Sequence, residues 1–439
     1  MSNNAVTADN SAFEKGLKKA WEKYLKEERE KKYPNIMLLG ISGAGKSTLV
    51  NTVFGVDIAG TSDVAPKTQG CDFYDGHEFD RKVNLIDTAG YELNQSETYF
   101  STVMNAINHF YCGMPVQVLW YCISLANERI EEIDIRTLTE LQQAENVKGR
   151  MCIVFTKCDK DDDESTAEES FKKILQKRGL NDIPIFEASN DSDLNEKLKF
   201  NELIKWSSNQ IKDEDFRNSF IGSQMADLPA KKAAAERVIN NSWAKISLVQ
   251  FSSAIGSQDN QKLLAELLMD MSTEIFSVYG IDCLSGLSKE IDAAKGVFSF
   301  GHGLVSAFVN LVPKASKLET IIDGAVASAL AKAVGEAVSA VCYSYVEKHL
   351  KGEEVQFEEF FSNASSTKLF LSIVSNSLSG TGKKLSGLGK KGETKTKDAK
   401  KESDQKSQSS KGTEQRQSGK QVKTSTTGKK KPSNKKKSS

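Results

Sequence analysis

Eight consecutive residues have the types and the spacing to hold a phosphate group. The run Gly40-Ile41-Ser42-Gly43-Ala44-Gly45-Lys46-Ser47 matches Gly-x4-Gly-Lys-Ser and lies between an apolar strand-like run and a helical pattern. Backbone N–H groups of such a loop point at phosphate oxygens, and the N-terminal end of the next helix adds positive potential. We expect Lys46 to reach the terminal phosphates and the Ser47 hydroxyl to ligate Mg²⁺. The residues predicted to contact the phosphates are Ser42, Gly43, Ala44, Gly45, Lys46, Ser47 and Thr48.

A second motif, Asp87-Thr88-Ala89-Gly90, follows the apolar run Val83–Ile86. We expect Asp87 to hold Mg²⁺, directly or through water. The Gly90 N–H is expected to bond the γ-phosphate, so that this loop senses whether that group is present. The residues predicted to act in the reaction are Lys46, Thr68 and Gly90, and the predicted metal ligands are Ser47, Thr68 and Asp87.

Thr68 is chosen from the polar segment Thr61–Gly70, which lies between the two motifs. A threonine there can ligate Mg²⁺ through its hydroxyl and bond the γ-phosphate through its N–H. Thr68 stands just before a strand-like run, and Thr61 is the alternative. The competing interpretation of Thr68 and of Thr61 is a surface threonine without a role.

Thr156-Lys157-Cys158-Asp159 follows the apolar run Met151–Phe155 and has the chemistry to select guanine. A carboxylate at Asp159 accepts hydrogen bonds from guanine N1–H and from its 2-amino group. Adenine has neither donor and would leave the carboxylate unpaired. The Lys157 stem is expected to cover one face of the base. The other residues predicted at the base are Thr156, Ala188, whose N–H would bond guanine O6, and Ser189.

Short apolar runs alternate with helical patterns from Asn35 to about residue 212, which predicts a mostly parallel α/β sheet with helices on both faces. The predicted strands are Ile36–Leu39, Cys71–Tyr74, Val83–Ile86, Val116–Ser124, Met151–Phe155 and Ile183–Phe186. The predicted helices are 46–54, 97–111, 130–145, 165–178 and 194–211. Ligands of such sheets bind at the carboxyl ends of the strands, where the motifs stand.

The four motifs in series resemble the P-loop GTPases of the translation-factor class, and within it the Era/TrmE-like branch. The resemblance covers residues 34–212 and implies GTP or GDP with Mg²⁺ as ligands, and use as a regulatory switch. Two positions depart from the family pattern. Thr156 replaces its usual Asn, which predicts a weaker contact between the base loop and the phosphate loop. Tyr91 replaces the glutamine that orients water in Ras-like proteins, so we expect slow GTP hydrolysis, stimulated by a protein effector or a homodimer.

Beyond this region the patterns predict further parts. An amphipathic helix precedes the sheet within 1–33, a linker spans 213–232, and an all-helical domain spans 233–351. The helical domain resembles YcjF-like domains of unknown function through Ile275–Tyr279 with Gly280, Leu311-Val312-Pro313, and the helix Ile321–Val341. A soluble bundle is favoured over a peripheral membrane contact through 296–350, because charged residues interrupt the apolar runs. A short helical or irregular segment is predicted at 352–380.

The last part of the chain, 381–439, is a Lys-rich tail with 19 basic and 5 acidic residues, a net charge of +14. Its composition predicts disorder and weak contact with anionic lipid or nucleic acid, or no contact at all. The seven cysteines have no Cys-x-x-Cys spacing, which favours a reducing cytoplasm, with membrane association as an alternative.

Three functions fit these patterns. A regulatory GTPase is the first, a dynamin-like membrane-acting GTPase the second, and a ribosome- or RNA-associated assembly GTPase the third. An ATP-binding module is the main chemical rival, and Asp159 argues against it.

Overall fold

The computed structural model describes residues 30–56, 67–68, 71–88, 96–127, 129–161, 166–248, 258–284 and 324–356, with single residues within 19–27 and 360–372. Contacts divide the chain into two units, 1–381 and 382–439, and the described residues all belong to the first. Several predictions lie outside the described residues: those for Thr61, Gly90 and Tyr91, for most of 352–380, for 296–323 and for the basic tail.

The described part contains a seven-stranded sheet in the order β2-β3-β4-β1-β5-β6-β7. The strands are β1 Asn35–Leu39, β2 Lys67–Thr68, β3 Cys71–Tyr74, β4 Asn84–Thr88, β5 Val116–Ser124, β6 Met151–Thr156 and β7 Ile185–Glu187. The five strands from β4 to β7 in this order pair parallel, and β2 and β3 form an antiparallel edge. The central strands β5 and β6 are apolar along their length because helices cover both faces. The predicted fold class is confirmed.

Helices follow the strands in the predicted alternation. They are α1 Lys46–Phe54, α2 Ser96–Asn108, α3 Glu132–Gln143, α4 Thr166–Lys177, α5 Ser192–Lys197, α6 Asn201–Gln210, α7 Glu214–Ser223, α8 Leu228–Leu248, α9 Gln258–Tyr279, α10 Ile281–Leu284 and α11 Gly324–Leu350. A single helix was predicted over 194–211, but Lys199 has a φ of 55°, and the chain forms two helices, α5 and α6. A residue in the left-handed region cannot continue an α-helix.

The segment 213–232, predicted as a linker, is instead mostly helical. It contains α7 and the first turn of α8. The Asp213 carboxylate caps α7 by accepting from the Phe216 N–H at 3.0 Å. Between α7 and α8 only 224–227 are non-helical, and Pro229 lies in the first turn of α8, where proline is tolerated.

The C-terminal helices extend the core of one sheet face. The aromatic ring of Phe220 in α7 packs edge-on against Phe54 in α1 and Trp120 in β5, with centroids 6.1 and 6.5 Å apart. The Trp120 indole N–H donates to Ser207 Oγ of α6 at 2.9 Å. The same buried cluster continues into α8, α9 and α11, while α2, α3 and α4 cover the other sheet face. The sheet and the C-terminal helices therefore share one hydrophobic core.

Small residues allow these helices to approach closely. Ala333 and Ala337 of α11 are buried. A Cβ on Gly335 would lie 2.8 Å from Ile239 Cγ1 of α8, so this crossing requires glycine. In the part of the chain that the structure describes, no helix has the length and apolarity to cross a membrane.

Candidate nucleotide site

The loop between β1 and α1 has a backbone that requires glycine at its two ends. Gly40 has a φ of 133°, and a Cβ there would lie 2.4 Å from the Cys122 carbonyl oxygen. Gly45 has a φ of 85° and forms the N-cap of α1, with no side chain capping the helix. The first N–H groups of α1 at Lys46, Ser47 and Thr48 are therefore available to an anion.

One amide of this loop differs from the prediction. The Ala44 N–H donates to the Ile41 carbonyl at 3.1 Å, which closes a turn within the loop. In this conformation the Ala44 N–H is engaged, although we predicted that it points at phosphate. Ser42 and Gly43 are exposed at the tip of the loop.

Lys46 and Asp87 come together at the carboxyl ends of β1 and β4. Lys46 Nζ donates to the Gly40 carbonyl at 3.2 Å and lies 3.9 Å from Asp87 Oδ1. The side chains of both residues are mostly buried, with exposed fractions of 8% and 18%. Burial raises the pKa of Asp87 to about 6, against the opposing effect of Lys46. The contact brings Lys46, which is predicted to bind phosphate, close to Asp87, which is predicted to ligate the metal.

The residues at this point fit a divalent cation. Asp87 Oδ1 is buried and has no hydrogen-bond partner among the described residues. A buried carboxylate oxygen without a donor is costly, and a hard cation would satisfy it. Ser47, a second predicted metal ligand, is half-buried at the start of α1. These oxygen donors suit Mg²⁺, which takes few protein ligands together with phosphate oxygens.

Thr68, the predicted third ligand, lies in the two-residue edge strand β2. It pairs with Cys71 of β3, and Cys71 pairs in turn with Thr88, next to Asp87. Its backbone is therefore two strands from β4 at the edge of the sheet. The role of Thr68 stays a prediction.

Thr156 joins the base loop to the phosphate loop. Its hydroxyl donates to the Ala44 carbonyl at 2.6 Å and is buried. A Cβ on Gly45 would lie 2.9 Å from the same Thr156 oxygen, so the two loops are in contact here. Threonine in place of the family's usual asparagine was expected to weaken this connection. In the structure, the Thr156 hydroxyl makes a short hydrogen bond to the Ala44 carbonyl of the phosphate loop.

A cavity of about 260 Å³ lies between the two loops. Its lining comprises Gly45, Thr48, Leu49, Thr52, Thr156, Lys157, Asp159, Lys160, Ala188, Ser189 and Asn190. The volume is below the roughly 300–1,000 Å³ of complete small-molecule sites, so the cavity suits one end of a ligand, such as a planar base. Seven of the predicted nucleotide-binding residues line it, from both the phosphate loop and the base loop.

The Asp159 carboxylate has two protein partners in this cavity. Lys160 Nζ lies 3.0 Å from Oδ2, and the Ser189 hydroxyl donates to Oδ1 at 3.1 Å. The hydrogen bond with Lys160 is the main reason that the pKa of Asp159 is lowered. The carboxylate is therefore ionised at neutral pH, as acceptance of two hydrogen bonds from guanine requires.

Ala188 cannot play its predicted role in this conformation. Its N–H donates to the Phe155 carbonyl at 2.8 Å, as part of the ladder between β6 and β7, so it does not face a base. The next amide, that of Ser189, donates to Asn195 Oδ1 at 2.8 Å. Asn190, the following residue, lines the cavity. The predicted strand ended at Phe186, whereas β7 ends at Glu187, and the Ala188 N–H still bonds β6.

Several residues of the site were missed from the sequence, including Leu49, Thr52 and Lys160 of the cavity lining. Asn190 lines the cavity, Asp191 caps α5, and Asn195 bonds the backbone of Ser189. Asp191 before a helical pattern is a signal for a helix start. No sequence motif marks Asn195, because its role depends on where α5 packs.

Comparisons with known proteins show what this chain is similar to. The profile of a family described as "50S ribosome-binding GTPase" matches residues 35–157. The probable GTP-binding protein EngB of Malacoplasma penetrans (strain HF-2) is 31% identical over 147 residues, which cover 32% of this chain and 72% of that protein. GTP-binding protein A of Dictyostelium discoideum is 33% identical over 97 residues, 22% of this chain, and the chain spans only 21% of that relative's length. Among solved structures, the bacterial selenocysteine-specific elongation factor EF-Sec is 22% identical with a TM-score of 0.27, covering 40% of this chain and 29% of its own.

Proposed function

Because this chain belongs to the P-loop GTPase family described as 50S ribosome-binding GTPases, we propose that it is a guanine-nucleotide switch with slow intrinsic GTP hydrolysis. The observation that carries the proposal is the junction of the two loops. Thr156 bonds Ala44 of the phosphate loop, and three residues further on Asp159 lines a cavity that reaches Gly45. One ligand with a phosphate end and a guanine end fits both loops.

At the phosphate end, Lys46 would exchange its contacts with loop carbonyls for the β- and γ-phosphate oxygens. Mg²⁺ held by Ser47 and Asp87, with Thr68 as the predicted third ligand, would neutralise charge on those phosphates. The Gly90 N–H, as proposed from its motif, would report whether the γ-phosphate is present. Burial of Lys46 and Asp87 strengthens these electrostatic contacts, because water screens them less.

At the base end, Asp159 would accept from guanine N1–H and the 2-amino group, with Lys157 along one face of the ring. For guanine O6 we assign the Asn190 N–H. The support is that the Ala188 and Ser189 amides donate within the protein, and that Asn190 is the next residue in the cavity lining.

Hydrolysis is proposed to be slow because Tyr91 stands where Ras-like proteins have a water-orienting glutamine. A protein effector or a second copy of the chain would supply the missing group. A single-turnover phosphate-release assay over a series of protein concentrations tests this proposal. A rate that rises with concentration supports a homodimer, and a fast rate that is independent of concentration contradicts the proposal of slow intrinsic hydrolysis.

The nucleotide preference is tested with Asp159→Asn. The wild type is expected to bind GTP far more tightly than ATP or xanthosine triphosphate, measured with labelled nucleotides. An amide at 159 donates to the 2-oxo group of xanthine and faces the guanine 2-amino group with its own NH₂. The variant is therefore expected to lose GTP affinity by about 10- to 100-fold and to gain affinity for xanthosine triphosphate.

Asp161→Asn is the matched control. The Asp161 carboxylate accepts from the Ala167 and Glu168 amides and is not in the cavity lining, so GTP preference should persist. Equal affinity of the wild type for GTP and ATP contradicts the base assignment.

Ribosome association is a second candidate, favoured by the description of the matching family. Co-sedimentation with ribosomal particles in GTP but not in GDP would support it. The membrane-acting alternative through 296–350 and the lipid or nucleic-acid contact of the basic tail stay predictions. Liposome flotation of the full chain tests for membrane contact. Flotation of a chain ending at 380 tests whether that contact persists without the basic tail.

A further inference from the structure

The short helix α5 holds the loop that follows β7 through one amide side chain. Asn195 is buried, with 8% of its surface exposed. Its Oδ1 accepts from the Ser189 N–H at 2.8 Å, and its Nδ2 donates to the Ser189 carbonyl at 2.8 Å. A carboxamide ends in an acceptor oxygen and a donor NH₂ group, so it can bond both backbone groups of one residue. These two bonds fix the backbone of Ser189 on both sides of its Cα.

The Ser189 side chain continues this arrangement to the base cavity. Its oxygen accepts from the Asp191 N–H at 3.0 Å. The hydroxyl hydrogen is therefore left to donate, and it donates to Asp159 Oδ1 at 3.1 Å. Because Asp191 also caps α5 through its carboxylate, the same helix sets both the backbone and the hydroxyl direction of Ser189.

Resting on the proposed function, we propose that Asn195 is a positioning residue for guanine recognition, acting through Ser189 on the Asp159 carboxylate. Asn195 is not in the lining of the base cavity, so its effect on nucleotide binding passes through the Ser189 contacts. Ser189 orients Oδ1 of the carboxylate, while the more exposed Lys160 holds Oδ2. Two acceptors in the correct plane are what the N1–H and 2-amino donors of guanine require.

A role in folding alone is the competing interpretation, because Asn195 also lies in a turn with its own backbone bonds. The Asn195 N–H donates to the Asp191 carbonyl at 3.0 Å, and the Phe200 N–H donates to the Asn195 carbonyl at 3.0 Å. These bonds do not use the side chain. A role in folding would lower stability and affinity for every nucleotide alike, whereas a positioning role changes the discrimination at the 2-amino group.

The test uses full-length Asn195→Ala with GTP and inosine triphosphate, which lacks the 2-amino group. We expect GTP affinity to fall about tenfold, corresponding to one or two lost buried hydrogen bonds, and inosine triphosphate affinity to fall less. The affinity ratio between the two nucleotides should drop several-fold. Asn201→Ala, an exposed asparagine at the start of α6, is the matched control and should leave the ratio unchanged.

A double-mutant cycle shows whether the effect passes through Asp159. In an Asp159→Ala background, Asn195→Ala should change GTP affinity by less than about twofold, since the carboxylate that it positions is absent. An undiminished effect in that background, or an unchanged nucleotide ratio in the single variant, overturns the proposal. A wild type without GTP preference overturns the proposed function instead, so the two failures are distinguishable.

If Asn195→Ala does not fold, Asn195→Asp replaces it. This variant has nearly the same shape and keeps an acceptor for the Ser189 N–H, but it places a carboxylate oxygen against the Ser189 carbonyl. The ratio of GTP to inosine triphosphate affinity should again fall several-fold. A folded Asn195→Asp variant with the wild-type ratio also overturns the proposal.

Discussion

At the scale of single residues, Thr156 shows how one hydroxyl connects the two ends of the site. It is the last residue of β6, and its side chain reaches across to the Ala44 carbonyl of the phosphate loop. Threonine is shorter than the asparagine usual in the family, and the contact is made because Gly45 leaves room for close approach. The base loop and the phosphate loop are thereby held at a fixed separation.

Thr156→Val removes this hydroxyl and keeps the shape of the side chain. The Ala44 carbonyl then loses a buried donor, which costs about 1–3 kcal/mol. We expect GTP affinity to fall by about 5- to 50-fold, measured by titration with labelled nucleotide. Thr139→Val is the control, because its hydroxyl donates to the Ile135 carbonyl within α3 at 2.7 Å, and it should bind GTP as the wild type does. Wild-type affinity in Thr156→Val would show that the connection does not matter for binding.

At the scale of elements, α3 is attached to the sheet through a buried acid. The Asp134 carboxylate in the first turn of α3 accepts from the Tyr121 hydroxyl of β5 at 2.8 Å. Burial raises the pKa of Asp134 from 3.8 to about 6, against the opposing effect of the Tyr121 hydrogen bond. The ionised form is therefore the one that the fold disfavours. This helix covers the sheet face opposite to the C-terminal helices.

The pKa of Asp134 predicts a pH dependence of stability. Since its folded value lies above its unfolded value, the cost of ionisation is absent below pH 3.8, grows from there to about pH 6, and is complete above it. Asp134→Asn keeps an acceptor for Tyr121 and removes the charge. It should raise the free energy of unfolding at pH 8 by at most about 3 kcal/mol, with a smaller gain near pH 4.5.

Denaturant unfolding at the two pH values measures this difference. Asp182→Asn, at an exposed site, serves as the control and should show no such pH-dependent gain. A gain in Asp134→Asn that is equal at both pH values would contradict the ionisation argument.

At the scale of the whole molecule, the C-terminal helices and the sheet share one core. Phe220 is fully buried between Phe54 and Trp120, which belong to the nucleotide-binding half. The Met225 N–H also donates to the Val53 carbonyl of α1, at 2.7 Å. We therefore expect both halves to unfold in a single transition.

Phe220→Ala tests this cooperativity. The lost burial and the cavity should lower the free energy of unfolding by about 3–5 kcal/mol, and the unfolding curves from tryptophan fluorescence and far-UV circular dichroism should stay coincident. Phe110→Ala is the matched control, because Phe110 is 61% exposed and its loss should cost little. Two separate transitions in the wild type would show that the helices form an independent domain.

The sequence by itself determined the features that depend on neighbours along the chain. The phosphate loop could be predicted because its glycines, lysine and serine lie within one strand–loop–helix unit. The strands β5 and β6 could be predicted because their apolar runs are continuous. Asp159 could be placed at the carboxyl edge of the sheet because it follows β6 directly.

Only the tertiary structure decided which groups are paired and which remain for a ligand. The Ala188 amide is used by the ladder with Phe155, and Asn195 reaches Ser189 only because α5 packs beside that loop. The predicted linker forms α7, whose Phe220 completes the core under Trp120. Strand pairing and helix packing bring the residues of these contacts together. Local sequence patterns predict neither the pairing nor the packing.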